Sequence, residues 1–329
     1  MIVRWGLDQL HDLLSELGVS APLLVTTARW HGLELPLALS DSRRFHGVAG
    51  HAPRASIDAA IATATATGAD GLLALGGGSA IDTAKAASAA TGLPVISIPT
   101  TYSGAEWTTF YGSRDPERRV KKGGSGAHTV AVLCEPRLTL DLPVGESAGT
   151  ALNALDHCAE ALYGTRRSDE TDADALAGAR LISEWLPAVL ADGKDLEART
   201  QLLEGAMRAG ASLRAGFALA HALAQALGGW SGGSHGAFNA LCLPPVLRFN
   251  AEAAAEPIGR LAAAMGVADA AARAEQLARL GGIERLRDHG VAEADLPAIA
   301  AAAVERPAAK TNPRPVTAAA AEDLLRGIW

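Results

Sequence analysis

The stretch GLLALGGGSAIDTAKAASAATG, residues 71–92, limits the fold more than any other. An apolar run ends at Leu75, then Gly76, Gly77 and Gly78 follow, and an Ala-rich helical pattern opens near Ser79. That order describes a buried strand turning sharply into a helix that covers it. Glycine lets the backbone take positive φ and approach a ligand closely. A helix N-terminus adds unpaired N–H groups and the positive end of a dipole, which together suit a pyrophosphate. The bland alternative is an ordinary strand-to-helix turn; three consecutive glycines favour the anion cradle, although the run is not the GxGxxG fingerprint.

The same alternation fills the first 140 residues: LLVTT (23–27) as strand, ASIDAAIATATATG (55–68) as helix, then LPVISIPTTYSG and TVAVLCEP as further strands. Alternating strands and helices imply a parallel sheet covered by helices. The turn in IPTTYSGAEWT sits at a strand's C-terminal end, the ligand-binding edge of such sheets, where Thr100, Thr101 and Ser103 offer hydroxyls. Beyond Pro143 the strand signal stops, and nearly everything to Trp329 reads as Ala/Leu helix, including one long helical stretch over 196–228. We therefore expect an α/β domain over 1–145 and a helical domain over 146–329. KTNPRPVT (310–317) reads as a surface turn before the last helix.

Bulk properties exclude several function classes. A net charge of −7 argues against nucleic-acid binding. No apolar run approaches the roughly 18 residues that span a membrane, and MIVRWGLDQL lacks a signal-peptide core. Cys134, Cys158 and Cys242 are spread widely without a CxxC, which suits reduced core residues. A cytoplasmic protein acting on a small molecule is the simplest expectation.

Nine histidines are present. His11, His31, His51, His128 and His289 lie in polar or irregular contexts and read as surface residues. His157 lies in LNALDHCAEAL, one helical turn after Asn153 and on the same face. His221 lies in AGFALAHALAQALGG and His235 in SGGSHGAFNAL. A single such histidine would be read as structural. Three of them in a helical domain beside a nucleotide-binding one point to a reaction site.

In these segments the chain resembles the iron-containing alcohol dehydrogenases, and within them the maleylacetate reductase branch. The residues that carry the resemblance are GGGSAIDTAK (76–85), PTTYSGAEWT (99–108), EPRLTLDLP (135–143), LNALDHCAEALY (152–163), HALAQALGGWSGGSHGAFNALCLP (221–244) and NPRPVT (312–317). The resemblance implies a Rossmann-like α/β domain plus an all-α domain, the dehydroquinate synthase-like fold. It also implies an NADPH or NADH site on Gly76, Gly77, Gly78, Ser79 and Asp82, with Thr100, Thr101 and Ser103, and hydride transfer in a cleft between the domains.

The departures from the family pattern shape the functional reading. Family dehydrogenases hold metal through an Asp and three His; here the Asp position is Asn153, with His157, His221 and His235 as the remaining set. The reductase branch often carries Asn there and is regarded as not needing the metal, so a bound metal is doubtful. Glu160 shares the face of His157 and could orient it. Where many relatives have a histidine one turn after His221, this chain has Gln225. Where relatives have an Asp after the second strand, RRFHGVAGHAP has His46, which with Arg43 and Arg44 nearby makes NADPH use plausible. Arg214, seven residues before His221, would share its helix face and either pair with a substrate carboxylate or form a salt bridge to Glu204 or Asp156.

The expectation is an NAD(P)H-dependent reductase that delivers hydride to an activated, anionic oxo-enoate, with His157, His221, His235, Arg214 and Asn153 at the reaction site and a homodimer as one candidate assembly. The rivals are a metal-dependent alcohol or aldehyde dehydrogenase, a non-redox enzyme of the same superfamily, and a cofactor-binding protein that has lost catalysis.

Overall fold

The computed structural model describes residues 1–329. It divides into two compact units, Met1–Thr101 with Ala105–Glu117 and Lys122–Thr139, and Leu140–Trp329 with Tyr102–Gly104 and Arg118–Lys121. Two short segments from the first 139 residues thus group with the helices, which no local sequence pattern signals.

In the first unit, strands β1 (Ile2–Trp5), β2 (Pro22–Thr26), β3 (Arg44–Phe45), β4 (Gly71–Gly76) and β5 (Pro94–Pro99) precede a two-stranded ribbon, β6 (Tyr111–Asp115) and β7 (Val120–Gly124), and then β8 (His128–Cys134). The main sheet runs β1-β8-β5-β4-β2-β3 and every pairing in it is parallel. Both faces of a parallel sheet must be covered. Leu10, Leu13 and Leu14 of α1 (Leu10–Glu16) pack on one face. Ala60 and Ala64 of α2 (Arg54–Ala66) with Ile81 and Ala84 of α3 (Gly78–Thr91) pack on the other. From β2 the chain moves outward to β3, and from β4 it moves the opposite way to β5 and β8. The strand order therefore reverses between β2 and β4, and the crevice at their C-terminal ends is where such sheets take ligands. β1 escapes the sequence reading because IVRW is short and its burial comes from pairing with β8.

The second unit is helical: α4 (Val144–Leu162), α5 (Asp169–Ala191), α6 (Leu196–Ser212), α7 (Leu219–Ser231), α8 (His235–Asn250), α9 (Ala255–Ala264), α10 (Ala270–Leu280), α11 (Leu296–Val304), α12 (Pro307–Lys310) and α13 (Ala318–Gly327). α4 is buried continuously from Ser147 to Leu162, as expected of a central helix wrapped by others. The long helical stretch expected over 196–228 is two helices. α6 ends at Ser212, a 3-10 turn occupies Leu213–Ala215, Gly216 takes φ 112°, and α7 begins at Leu219. Gly216 is what allows the break, because a side chain is strained at that φ. The expected surface turn over 310–317 is anchored inside: Asn312 is buried and exchanges two amide hydrogen bonds with Asn250, at 2.9 and 2.7 Å. The three cysteines are free and buried.

Candidate active site

The helical unit brings Asn153, His157, His221 and His235 together from three helices. Asn153 and His157 lie one turn apart on α4, His221 lies in the first turn of α7, and His235 opens α8. The His221 ring centroid lies 5.1 Å from those of both His157 and His235, and Phe217 stacks on His221 at 4.4 Å. The start of α7 is held by Glu160, whose carboxylate accepts from the backbone N–H groups of Ala218, Ala220 and His221. A carboxylate at a helix N-terminus meets both unpaired donors and the positive dipole end. This corrects the expectation for Glu160: it caps α7 and does not orient His157.

Asp156 is the carboxyl group that orients a histidine, and the histidine is His221, whose Nδ1 lies 3.1 Å from Asp156 Oδ2. Residue 156 points about 100° away from His157 around α4, and that places it against α7. Asn153 is fixed at both ends: its Nδ2 donates to the Ser103 carbonyl at 2.9 Å, and its Oδ1 accepts from Asn239 at 2.5 Å. The second amide proton of Asn239 meets His235 Nε2 at 3.2 Å. Asn239 is fully buried on α8, one turn after His235. Its spacing from His235 was visible in the sequence, but nothing local marked it.

His235 Nε2 lies 3.2 Å from Asn239 Nδ2 and 3.4 Å from His221 Nε2. We read His221 Nδ1 as accepting from a protonated Asp156. The environment agrees. Asp156 is fully buried, its Oδ1 meets no donor, and burial raises its pKa well above the carboxylate range. Burial, followed by the neighbouring Asp156, also raises Glu160, and its three backbone N–H donors act against this. Burial pushes His221 down to about 3, with Lys121 and Arg306 adding to the effect, and burial followed by the neighbouring His221 pushes His157 well below its usual value. Burial thus disfavours charge on both partners of the Asp156–His221 pair.

Arg214 is elsewhere. The break at Gly216 takes it off the helix of His221, and its side chain is 61% exposed, within 3.7 Å of Glu170 and 3.8 Å of Asp174. The shared face with His221 and Gln225 does not exist, and neither expected partner, Glu204 nor Asp156, is the one found.

In the α/β unit the glycine turn has the conformation a cradle needs. Gly76 takes φ 147°, and α3 opens at Gly78 behind an extended Gly77. A Cβ at Gly77 would meet Thr101 Cγ2 at 2.9 Å. Thr101 Oγ1 is buried without a partner, and the Thr100 N–H donates to the Gly76 carbonyl. These features fit a pyrophosphate on the α3 N-terminus. Ser79 Oγ accepts from the His51 N–H at 2.9 Å. Asp82 braces the unit itself: its carboxylate accepts from the Gly112 N–H at 3.0 Å and pairs with Lys85 at 2.9 Å. Ser103 groups with the helical unit, where its carbonyl holds Asn153. His46 follows β3, not β2; the residue after β2 is Thr27. His46 stacks against His31 at 4.7 Å, and Arg43 is spent on the carbonyls of Ala21 and Thr67.

The pattern described as "Iron-containing alcohol dehydrogenase" matches residues 3–134, and that described as "Fe-containing alcohol dehydrogenase family, C-terminal" matches residues 147–329. The chain belongs to the iron-containing alcohol dehydrogenase family. Maleylacetate reductase 1 of Rhodococcus opacus is 32% identical over 324 residues, covering 98% of this chain and 84% of that protein. The crystal structure of maleylacetate reductase from Rhizobium sp. strain MTP-10005 superposes with a TM-score of 0.88 at 32% identity, covering 100% of this chain and 95% of that one. The fold is also that of sulfoacetaldehyde reductase from Bifidobacterium kashiwanohense, solved with NAD+, at 21% identity, TM-score 0.87 and coverage of 100% and 96%. Family membership makes the chain an oxidoreductase that works with a nicotinamide cofactor on a small molecule. No helix is long and apolar enough to cross a membrane.

Proposed function

We propose that the chain reduces an electron-poor, anionic oxo-enoate of the maleylacetate type, using NADPH or NADH and no catalytic metal. The observation that carries this reading is the state of Asn153. The family's one carboxylate ligand is replaced by an amide whose oxygen already accepts from Asn239. The donors left are three imidazoles, and His221 and His235 are engaged with each other through Nε2. Three histidines can hold zinc when their nitrogens converge on an open position. Here His221 Nε2 and His235 Nε2 stand 3.4 Å apart, and Asp156, Glu160 and His221 offer ligand atoms within 4.8 Å of one another, so the metal-free reading rests on the amide at position 153 and on the chemistry of an activated enone.

A reduced nicotinamide bound on the glycine turn would supply hydride. Hydride added at the alkene carbon β to the ketone would load negative charge on the ketone oxygen and would leave the α carbon to be protonated. An activated enone needs oxyanion stabilisation more than a Lewis acid. We assign His157, whose Nδ1 is buried with no protein partner, to the ketone oxygen. The His221–His235 pair, backed by Asp156, is assigned to the proton. NADPH should be used at least as readily as NADH, because neither Thr27 nor His46 carries a charge that repels a 2′-phosphate.

The test is cofactor oxidation against oxo-enoates and simple aldehydes, before and after dialysis against a chelator, with both cofactors. Reduction of the oxo-enoate unaffected by chelation supports the reading. Aldehyde reduction that is lost on chelation and restored by zinc or iron overturns it, and a strict preference for NADH overturns the cofactor assignment.

A further inference from the structure

Arg306 sits between α11 and α12 in extended conformation, as a residue before proline should. Its side chain reaches back to α7. Nη1 donates to Gln225 Oε1 at 3.0 Å, and Nη2 approaches the carbonyls of Lys121 and Gln225 at 3.4 and 3.5 Å. Nε is buried with no partner, and burial lowers the pKa of the guanidinium. Arg199 shows what a structural buried guanidinium looks like here: its donors meet Gly193 O, Tyr102 Oη, Ser147 Oγ and Leu142 O, on all three nitrogens. Arg306, by contrast, keeps donors to spare. Gln225 lies one turn after His221 on α7, which sets the guanidinium beside the histidine cluster. A half-buried cation with neutral neighbours is costly unless an anion joins it.

We propose that Arg306, steadied by Gln225, is the residue that binds a carboxylate of the substrate. The inference deepens the function proposed above by naming the group that selects an acid. A guanidinium presents a planar fork to a carboxylate, with Nε–H and one Nη–H as the two tines. The Gln225 side chain holds Nη1, the carbonyls of Lys121 and Gln225 approach Nη2 at longer range, and Nε–H is left without a partner. The anion role assigned from sequence to Arg214 thus falls to an arginine 92 positions later, as the numbering shows.

The probe is adipate, an unreactive six-carbon dicarboxylate, titrated calorimetrically into the protein saturated with oxidised nicotinamide. We expect Arg306→Met to weaken adipate binding at least about tenfold and Arg306→Lys to fall between. The KM for a dicarboxylic oxo-enoate should rise by a similar factor. Turnover of its uncharged diester, nicotinamide affinity and Tm should stay within about twofold or a few degrees of wild type. Gln225→Glu serves if the Met variant does not fold, because an added carboxylate would occupy the guanidinium and exclude adipate. Failure of wild type to bind adipate, adipate binding by the Met and Glu variants equal to that of wild type, or equal loss on acid and diester would overturn the assignment. Arg306-dependent adipate binding without any oxo-enoate reduction would uphold the anion site and sink the reductase reading instead.

Discussion

His221 Nδ1 lies 3.1 Å from Oδ2 of Asp156, and both groups are buried. Burial raises the Asp156 carboxyl and lowers the His221 imidazole, so the uncharged form of each is favoured. We read Asp156 as the proton donor to His221 Nδ1.

That assignment separates two substitutions. Asp156→Asn keeps a neutral donor in place, and we expect kcat within about tenfold of wild type with a small change in Tm. Asp156→Ala removes the donor and leaves a buried acceptor unmet, which costs about 1–3 kcal/mol. Thermal unfolding and steady-state kinetics on both variants check it. A loss of about 10⁴ in kcat for Asp156→Asn would instead mark an ionised carboxylate holding the tautomer.

Asn153→Asp restores the family's carboxylate. It also sets a carboxylate oxygen against the Ser103 carbonyl in place of the present N–H donor. We expect a loss of about 1–3 kcal/mol in the metal-free variant and recovered stability on adding zinc, whereas wild type should show little shift with zinc. Thermal scans with and without the ion decide this; an equal zinc response from wild type would argue for a competent metal site without the carboxylate.

Gly77→Val places a branched side chain against Thr101 and over the start of α3. Nicotinamide affinity should fall at least about tenfold, roughly 1.4 kcal/mol. Fluorescence titration of the reduced cofactor into the folded variant measures it, and unchanged affinity would remove the pyrophosphate from this turn.

Glu106 gives a pH signature. It is 2% exposed, and burial raises its pKa to about 7 despite nearby Lys85. The folded state then binds the proton more tightly than the unfolded chain does. Its contribution is fully present below pH ~4.5 and is lost as pH rises through ~7, a change of roughly 3 kcal/mol. Denaturant unfolding across that window should show wild type losing stability relative to Glu106→Gln as pH rises. Parallel curves would mean that Glu106 ionises normally.

Local pattern made much of this molecule legible. The run from Leu72 through Gly78 to Ala84 dictates strand, turn and helix by itself, because apolar length, glycine freedom and helical period all act within a few residues. The same holds for the change from alternation to continuous helix after Pro143, and for His157, His221 and His235, which the family-like blocks mark. Tertiary structure alone decided the rest. β1 exists because β8 pairs with it, and His46 follows β3 because the short edge strand is defined by its partner. Arg214 turned outward because Gly216 breaks the helix, a choice of φ that heptad arithmetic cannot see. Asp156 reaches His221, Asn239 ties Asn153 to His235, and Arg306 reaches Gln225, across separations of 65, 86 and 81 residues. Hydrogen bonds over such distances depend on how helices pack, and burial sets the protonation that follows. A sequence read one window at a time holds the groups but neither their neighbours nor their dielectric.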